Sequence, residues 1–193
     1  MLVEKLREKC ALPYDIEQFL NMDKNSLINN LSNLMNKSSE YKQIISEVVN
    51  SINKDEYSKA YFLLMVLQRA LQDIIKNKVI GELRDIVRII DKIEIERRTK
   101  EMCRGMKLEK ILENTKKIED LKAGNIWDYV YKQIISKYNL PDKYYKMLKE
   151  IRRESNKVVH EFHLPSKIEL EDISLLCVVI DLLLKVLKAL STL

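Results

Sequence analysis

The chain has 193 residues, 34 Lys and Arg against 29 Asp and Glu, 46% hydrophobic residues, three glycines and three prolines. Those six turn-formers amount to about 3% of the chain, against roughly 12% in average usage. A sheet protein needs turn residues every ~8–12 positions, so sandwiches, barrels and glycine-loop nucleotide folds are excluded and an all-α helical bundle long enough to bury a core is expected.

The N-terminal section reads as a short helix over Leu2–Cys10 and a second over Asp15–Asn21, with Pro13 placed to start it because the first helical turn needs no donor from proline. Residues 23–53 are rich in Asn, Ser and Lys. Leu27, Ile28, Leu31 and Leu34 keep a helical period there, and Ser38 or Ser39 is a cap for a further helix carrying Tyr41, Ile44, Ile45, Val48 and Val49. Because Asn and Ser compete for backbone hydrogen bonds, these helices are expected to be short or frayed. Residues 1–54 are read as an N-terminal helical extension and 55–193 as the main helical domain.

From Asp55, the expected N-cap, the pattern strengthens through Leu64, Leu67, Leu71, Ile74 and Ile75, then Val79, Leu83, Ile86, Ile90 and Ile93. This is one long helix or two hinged at Gly81, apolar on more than one face at first and a narrow amphipathic arm beyond. Residues 97–117 follow with eight Lys/Arg against three Glu, an excess equal to the +5 of the whole chain. Arg97, Arg98, Lys100, Arg104 and Lys107 are its candidate nucleic-acid contacts, although such a run is also a solvated helix face. Asn125 opens a helix carrying Ile126, Trp127, Val130 and Ile134. Pro141–Asp142 opens the next, predicted to run to Leu164–Pro165, and a short linker leads to the apolar stretch Ile173–Leu190.

That last stretch has membrane-like length but carries Asp181, Lys185 and Lys188 at i, i+4 and i+7, one polar stripe continuing up to Ser174. Charges at a bilayer centre cost a few kcal/mol each, so a soluble core helix or a subunit interface is expected, without membrane insertion. The three cysteines, Cys10, Cys103 and Cys177, are far apart and odd in number, which fits reduced thiols in a cytoplasmic protein. The N-terminus shows no apolar signal core. No metal-ligand cluster and no phosphate-cradling glycine loop is found, and no cofactor is expected.

One segment carries chemistry. On the helix after Pro141, positions separated by four and seven return to one azimuth, so Arg153, Asn156 and His160 share a face. Met147, Leu148, Ile151, Val158, Val159 and Phe162 are expected to supply the buried side. Metal-free phosphodiester cleavage requires proton transfer to and from oxygen and stabilisation of a dianionic phosphorane. Histidine titrates near neutrality, and arginine offers a permanent forked donor. One histidine does not readily serve as both acid and base, so a dimer is expected. Tyr129, Tyr131, Tyr138, Tyr144 and Tyr145 flank the segment as stacking or packing residues. An Arg–Asn–His stripe is also what a plain solvated helix face looks like.

At these residues the sequence resembles the HEPN superfamily, helical-bundle domains with an R-x4-6-H signature on the helix before the last long one. The run "SNKVVHEF" is similar to the family's "RNxxxH", with Asn156 and His160 on the matching Asn and His. Ser155 stands where the Arg usually does, and Arg153 gives R-x6-H instead. The resemblance implies an RNA-binding homodimer acting as a metal-independent endoribonuclease in a toxin-type or defence system, with His160 as acid–base, Arg153 on the phosphate and Asn156 orienting. The alternative is a non-enzymatic helical scaffold subunit of a nucleoprotein complex, in which the Gly81–Lys117 arm makes the contacts with RNA or protein.

Overall fold

The computed structural model describes residues 2–10, 12–89, 131 and 139–190. All regular structure among them is helical: α1 Leu2–Cys10, α2 Tyr14–Leu20, α3 Lys24–Lys37, a 3-10 turn Ser39–Tyr41, α4 Lys42–Asn53, α5 Tyr57–Ile89, α6 Lys143–His160 and α7 Leu170–Leu190. The chain divides into two compact units, one of residues 1–72 with 141–193 and one of residues 73–140. The first unit holds α1–α4, the start of α5, and α6 and α7, so the boundary expected at residue 54 falls inside it.

The Asn/Ser-rich segment forms a four-turn helix rather than a frayed one. The Asp23 carboxylate accepts from the Ser26 N–H at 2.8 Å and caps α3. Leu27, Leu31 and Leu34 then bury one stripe against α4 and α7. Burial of each such side chain stabilises by about 1.5–3 kcal/mol, enough to outweigh the poor propensity of the residues between them. Neither serine caps α4 directly. Ser38 precedes the 3-10 turn without a side-chain cap bond, and α4 follows that turn.

Asp55 does not cap α5. The Glu56 carbonyl accepts the first helical bond, from Ala60 N–H at 3.1 Å. Asp55 takes the left-handed turn position (φ 59), which Asp tolerates better than most residues. Its carboxylate lies 2.6 Å from the Lys24 ammonium. The helix then continues unbroken through Gly81 to Ile89, as one helix without a hinge. Ala60, Tyr61, Leu64, Met65, Leu67, Leu71 and Ile75 are buried in its first five turns, together with Gln68 and Gln72.

The apolar C-terminal stretch is the core helix. In α7, Asp172 to Cys177 are consecutively buried, followed by Val179, Ile180, Leu183 and Val186, and α1, α2 and α3 pack on it. Its expected polar stripe survives in the lower turns, where Lys185 pairs with Asp181 at 2.7 Å. Ser174, at the head of that stripe, is buried instead. No helix among the described residues is long and apolar enough to cross a membrane. Asp172 ties two helix starts together: Oδ1 accepts from Val3 N–H of α1 at 2.9 Å and Oδ2 from Glu169 N–H at 3.1 Å. A buried carboxylate satisfying unpaired N–H groups at helix starts is held there by their hydrogen bonds and dipoles.

Candidate functional site

α6 carries the predicted site, and its sequence places the buried and exposed faces as an amphipathic helix does. Tyr144, Met147, Leu148, Ile151, Ser155 and Val158 face the core. Arg153, Lys157 and His160 face solvent, and Asn156 is half-buried between the two. Ser155 and Arg153 are two residues apart, about 200° around the helix. Ser155 therefore stands on the apolar seam with its hydroxyl donating to the Arg152 carbonyl at 2.9 Å, a place where a charged side chain has no water.

α6 ends earlier than the sequence pattern suggests. The N–H groups of Glu161 and His163 both turn back to the Lys157 carbonyl, at 3.0 and 3.3 Å. Phe162 has φ 52. Past that turn the helical azimuth no longer applies, and Phe162, expected on the buried side, is 78% exposed. Val159 is half-buried, and His160 and His163 are exposed.

Each predicted polar residue on the stripe except His160 is engaged by a protein partner. Arg69 of α5 donates from Nη1 to Asn156 Oδ1 at 2.6 Å, across 87 residues of sequence. Arg153 donates to Glu150, one turn back. Glu150 in turn takes Lys9 of α1 at 3.0 Å. One turn further along, Glu154 repeats the arrangement, pairing with Lys5 of α1 and standing 3.6 Å from Lys157. The pairings Lys5–Glu154 and Lys9–Glu150 run in opposite directions along the two helices, so α1 lies antiparallel on α6. Arg7, on another side of α1, bridges Glu17 of α2 at 2.8 Å and Glu171 of α7 at 3.2 Å.

The result is a ladder of two carboxylates and four cations, ending near His160. Glu150 is only 13% exposed in its side chain. Burial alone would raise its carboxyl, but the Lys9 hydrogen bond and the charges of Arg153 and Lys9 outweigh it and hold the group below its ordinary range. Tyr61 and Tyr144 are pushed the other way. Burial raises both, aided at Tyr61 by the charges of Asp172 and Glu154 and at Tyr144 by its hydrogen bond to Asp15.

Of the flanking tyrosines, Tyr131 and Tyr144 are buried, and Tyr145 is half-buried with the Lys149 ammonium 5.4 Å from its ring centre. Tyr129 and Tyr138, the basic run with Arg97, Arg98, Lys100, Arg104 and Lys107, and the predicted helix from Asn125 apart from Tyr131 lie outside the described residues. Among the described residues no three His, Cys, Asp or Glu side chains converge as a metal site requires.

Lys5, Lys9 and Arg69 join the site from α1 and α5 without any local sequence signal. The periodicity of α6 identifies Glu150 and Glu154 as one stripe, but not what crosses it. The chain matches no protein-family model, no curated protein and no solved structure.

Proposed function

We propose that this chain is an RNA-binding, HEPN-like helical protein that engages RNA on the solvent face of α6. The observation that supports this is the ladder in which two glutamates are shared among Lys5, Lys9, Arg153 and Lys157. Within it two positive charges remain uncompensated, and the cations span about 10 Å along the helix, from the level of residue 150 to that of residue 157. Phosphates are attracted to such a row whatever the base sequence. His160 stands at its end, where its imidazole can exchange a proton with a ribose or leaving oxygen. In the enzymatic form a second copy supplies the second histidine, so the active species is a homodimer cleaving RNA without a metal ion.

The test separates this face from the 97–117 run. Charge reversal at Arg153 and Lys157 abolishes salt-sensitive RNA binding, whereas reversal at Arg97, Arg98 and Arg104 spares it. The opposite pattern contradicts the proposal.

A second reading, a non-enzymatic RNA-binding or scaffold subunit, is favoured by one observation. Arg153 and Asn156 are already held by Glu150 and Arg69, and Ser155 faces the core in place of an arginine. Under that reading His160→Ala leaves RNA binding and integrity unchanged.

A further inference from the structure

Three residues have positive φ among the described ones: Asp55, Asn139 and Phe162. Asp and Asn visit the left-handed region through local hydrogen bonding, whereas a bulky aromatic there is an outlier. The turn that ends α6 nevertheless holds Phe162 in it, through the N–H groups of Glu161 and His163 on Lys157. It turns a ring that the helical pattern would have buried out into water, 78% exposed.

The neighbours of this ring define what fits it. His160, Glu161 and His163 are exposed around it, Leu164 is 38% exposed and Pro165 is half-buried. The Phe162 ring, with the partly exposed Leu164 and Pro165 following it in the chain, offers one planar face the size of a single base. It is much smaller than the contiguous apolar patch that a stable subunit contact covers. The ring also follows the end of the cationic ladder, two residues past His160. A strand whose phosphates lie along Arg153 and Lys157 and that continues past His160 reaches the turn that carries the ring.

We infer that Phe162 is a stacking platform for one base of a single-stranded RNA bound on α6. This rests on the RNA reading above and names its substrate class as single-stranded, since a duplex keeps its bases stacked on one another.

The experiment compares wild type with Phe162→Gly and Phe162→Trp. Glycine removes the ring and accepts the left-handed position, so the fold is retained and is at least as heat-resistant as wild type. Fluorescence anisotropy is measured with a labelled single-stranded 12-mer RNA and with a duplex of the same length. The expected result is about tenfold weaker single-strand binding by Phe162→Gly, unchanged duplex binding, and recovery in Phe162→Trp. Equal loss on both probes, or no loss on either, overturns the stacking role while leaving RNA binding in place. Wild type binding neither RNA overturns both readings. A shift in the sedimentation mass of Phe162→Gly without a change in RNA affinity assigns the ring to a contact between copies and overturns the inference.

Discussion

The Glu150 carboxylate accepts from the Lys9 ammonium at 3.0 Å, joining the first helix of the chain to the helix that carries the predicted site. Glu150 also pairs with Arg153, so Lys9 competes for the charge that would otherwise hold that guanidinium. The same relation holds one turn along, where Lys5 shares Glu154 with Lys157. α1 is thus an electrostatic part of the α6 face as well as a packing element.

Replacing both lysines by uncharged residues of similar length, Lys5→Met with Lys9→Met, leaves Glu150 and Glu154 to Arg153 and Lys157 alone. RNA affinity should fall, and the dependence of log affinity on log salt should flatten by about 0.7 for each single-strand phosphate that is no longer neutralised. A titration series over salt concentration reads both. An unchanged slope shows that the α1 lysines play no part in binding.

Acid should loosen the hold of α1 on α6 and α2. The folded-state pKa of Glu150 is lowered against burial by the Lys9 hydrogen bond and by the charges of Arg153 and Lys9, and that of Glu17 is lowered chiefly by its hydrogen bond from Arg7. A depressed carboxylate contributes stability that is present above its unfolded value, about 4.3 for Glu, and is lost as pH falls through the folded value below that. Because Lys9, Arg153 and Arg7 are substantially exposed, each contribution is screened to about 0.2–1 kcal/mol. Melting curves of wild type and the Glu150→Gln, Glu17→Gln double variant should differ near pH 6–7 and converge toward pH 3. A gap of constant size down to pH 3 contradicts the assignment.

Much of the bundle is legible because apolar spacing and proline positions are local signals. Pro13 and Pro141 fall one and two residues before α2 and α6, and Pro165 lies midway in the loop between α6 and α7. The long apolar run of α7 is the core helix it resembles. Gly81 misleads because one glycine costs a helix interior only about 1 kcal/mol relative to alanine, and α5 continues through it. The end of α6 is illegible for the converse reason: a left-handed stop normally announces itself as Gly or Asn, and here it is Phe162. The exposure of Arg153 and His160 follows from the helical period. The Arg69–Asn156 and Lys9–Glu150 pairs span 87 and 141 residues, and no local pattern encodes pairings of that range.

Asp172 makes a separate stability prediction. Its buried carboxylate is the acceptor for Val3 N–H and Glu169 N–H, and Asp172→Ala leaves both donors without it. At about 1–3 kcal/mol for each unsatisfied group, the loss should be about 2–6 kcal/mol. Tm should fall by roughly 2–4 °C per kcal/mol in a chain of this length. Asp172→Asn, which keeps one carbonyl acceptor, should lose less. Calorimetry checks the order; equal melting of all three proteins contradicts the capping role.

RNA engagement by the α6 face and scission by His160, as proposed, are read out in one experiment. The most direct measurement follows a labelled single-stranded RNA with wild type, Arg153→Ala and His160→Ala in EDTA, recording binding and strand scission in the same samples. Wild type should bind in a salt-sensitive way and cut the strand, Arg153→Ala should bind more weakly, and His160→Ala should bind without scission. A wild-type protein that neither binds nor cuts the RNA, or two variants that behave as wild type does, would contradict the proposal.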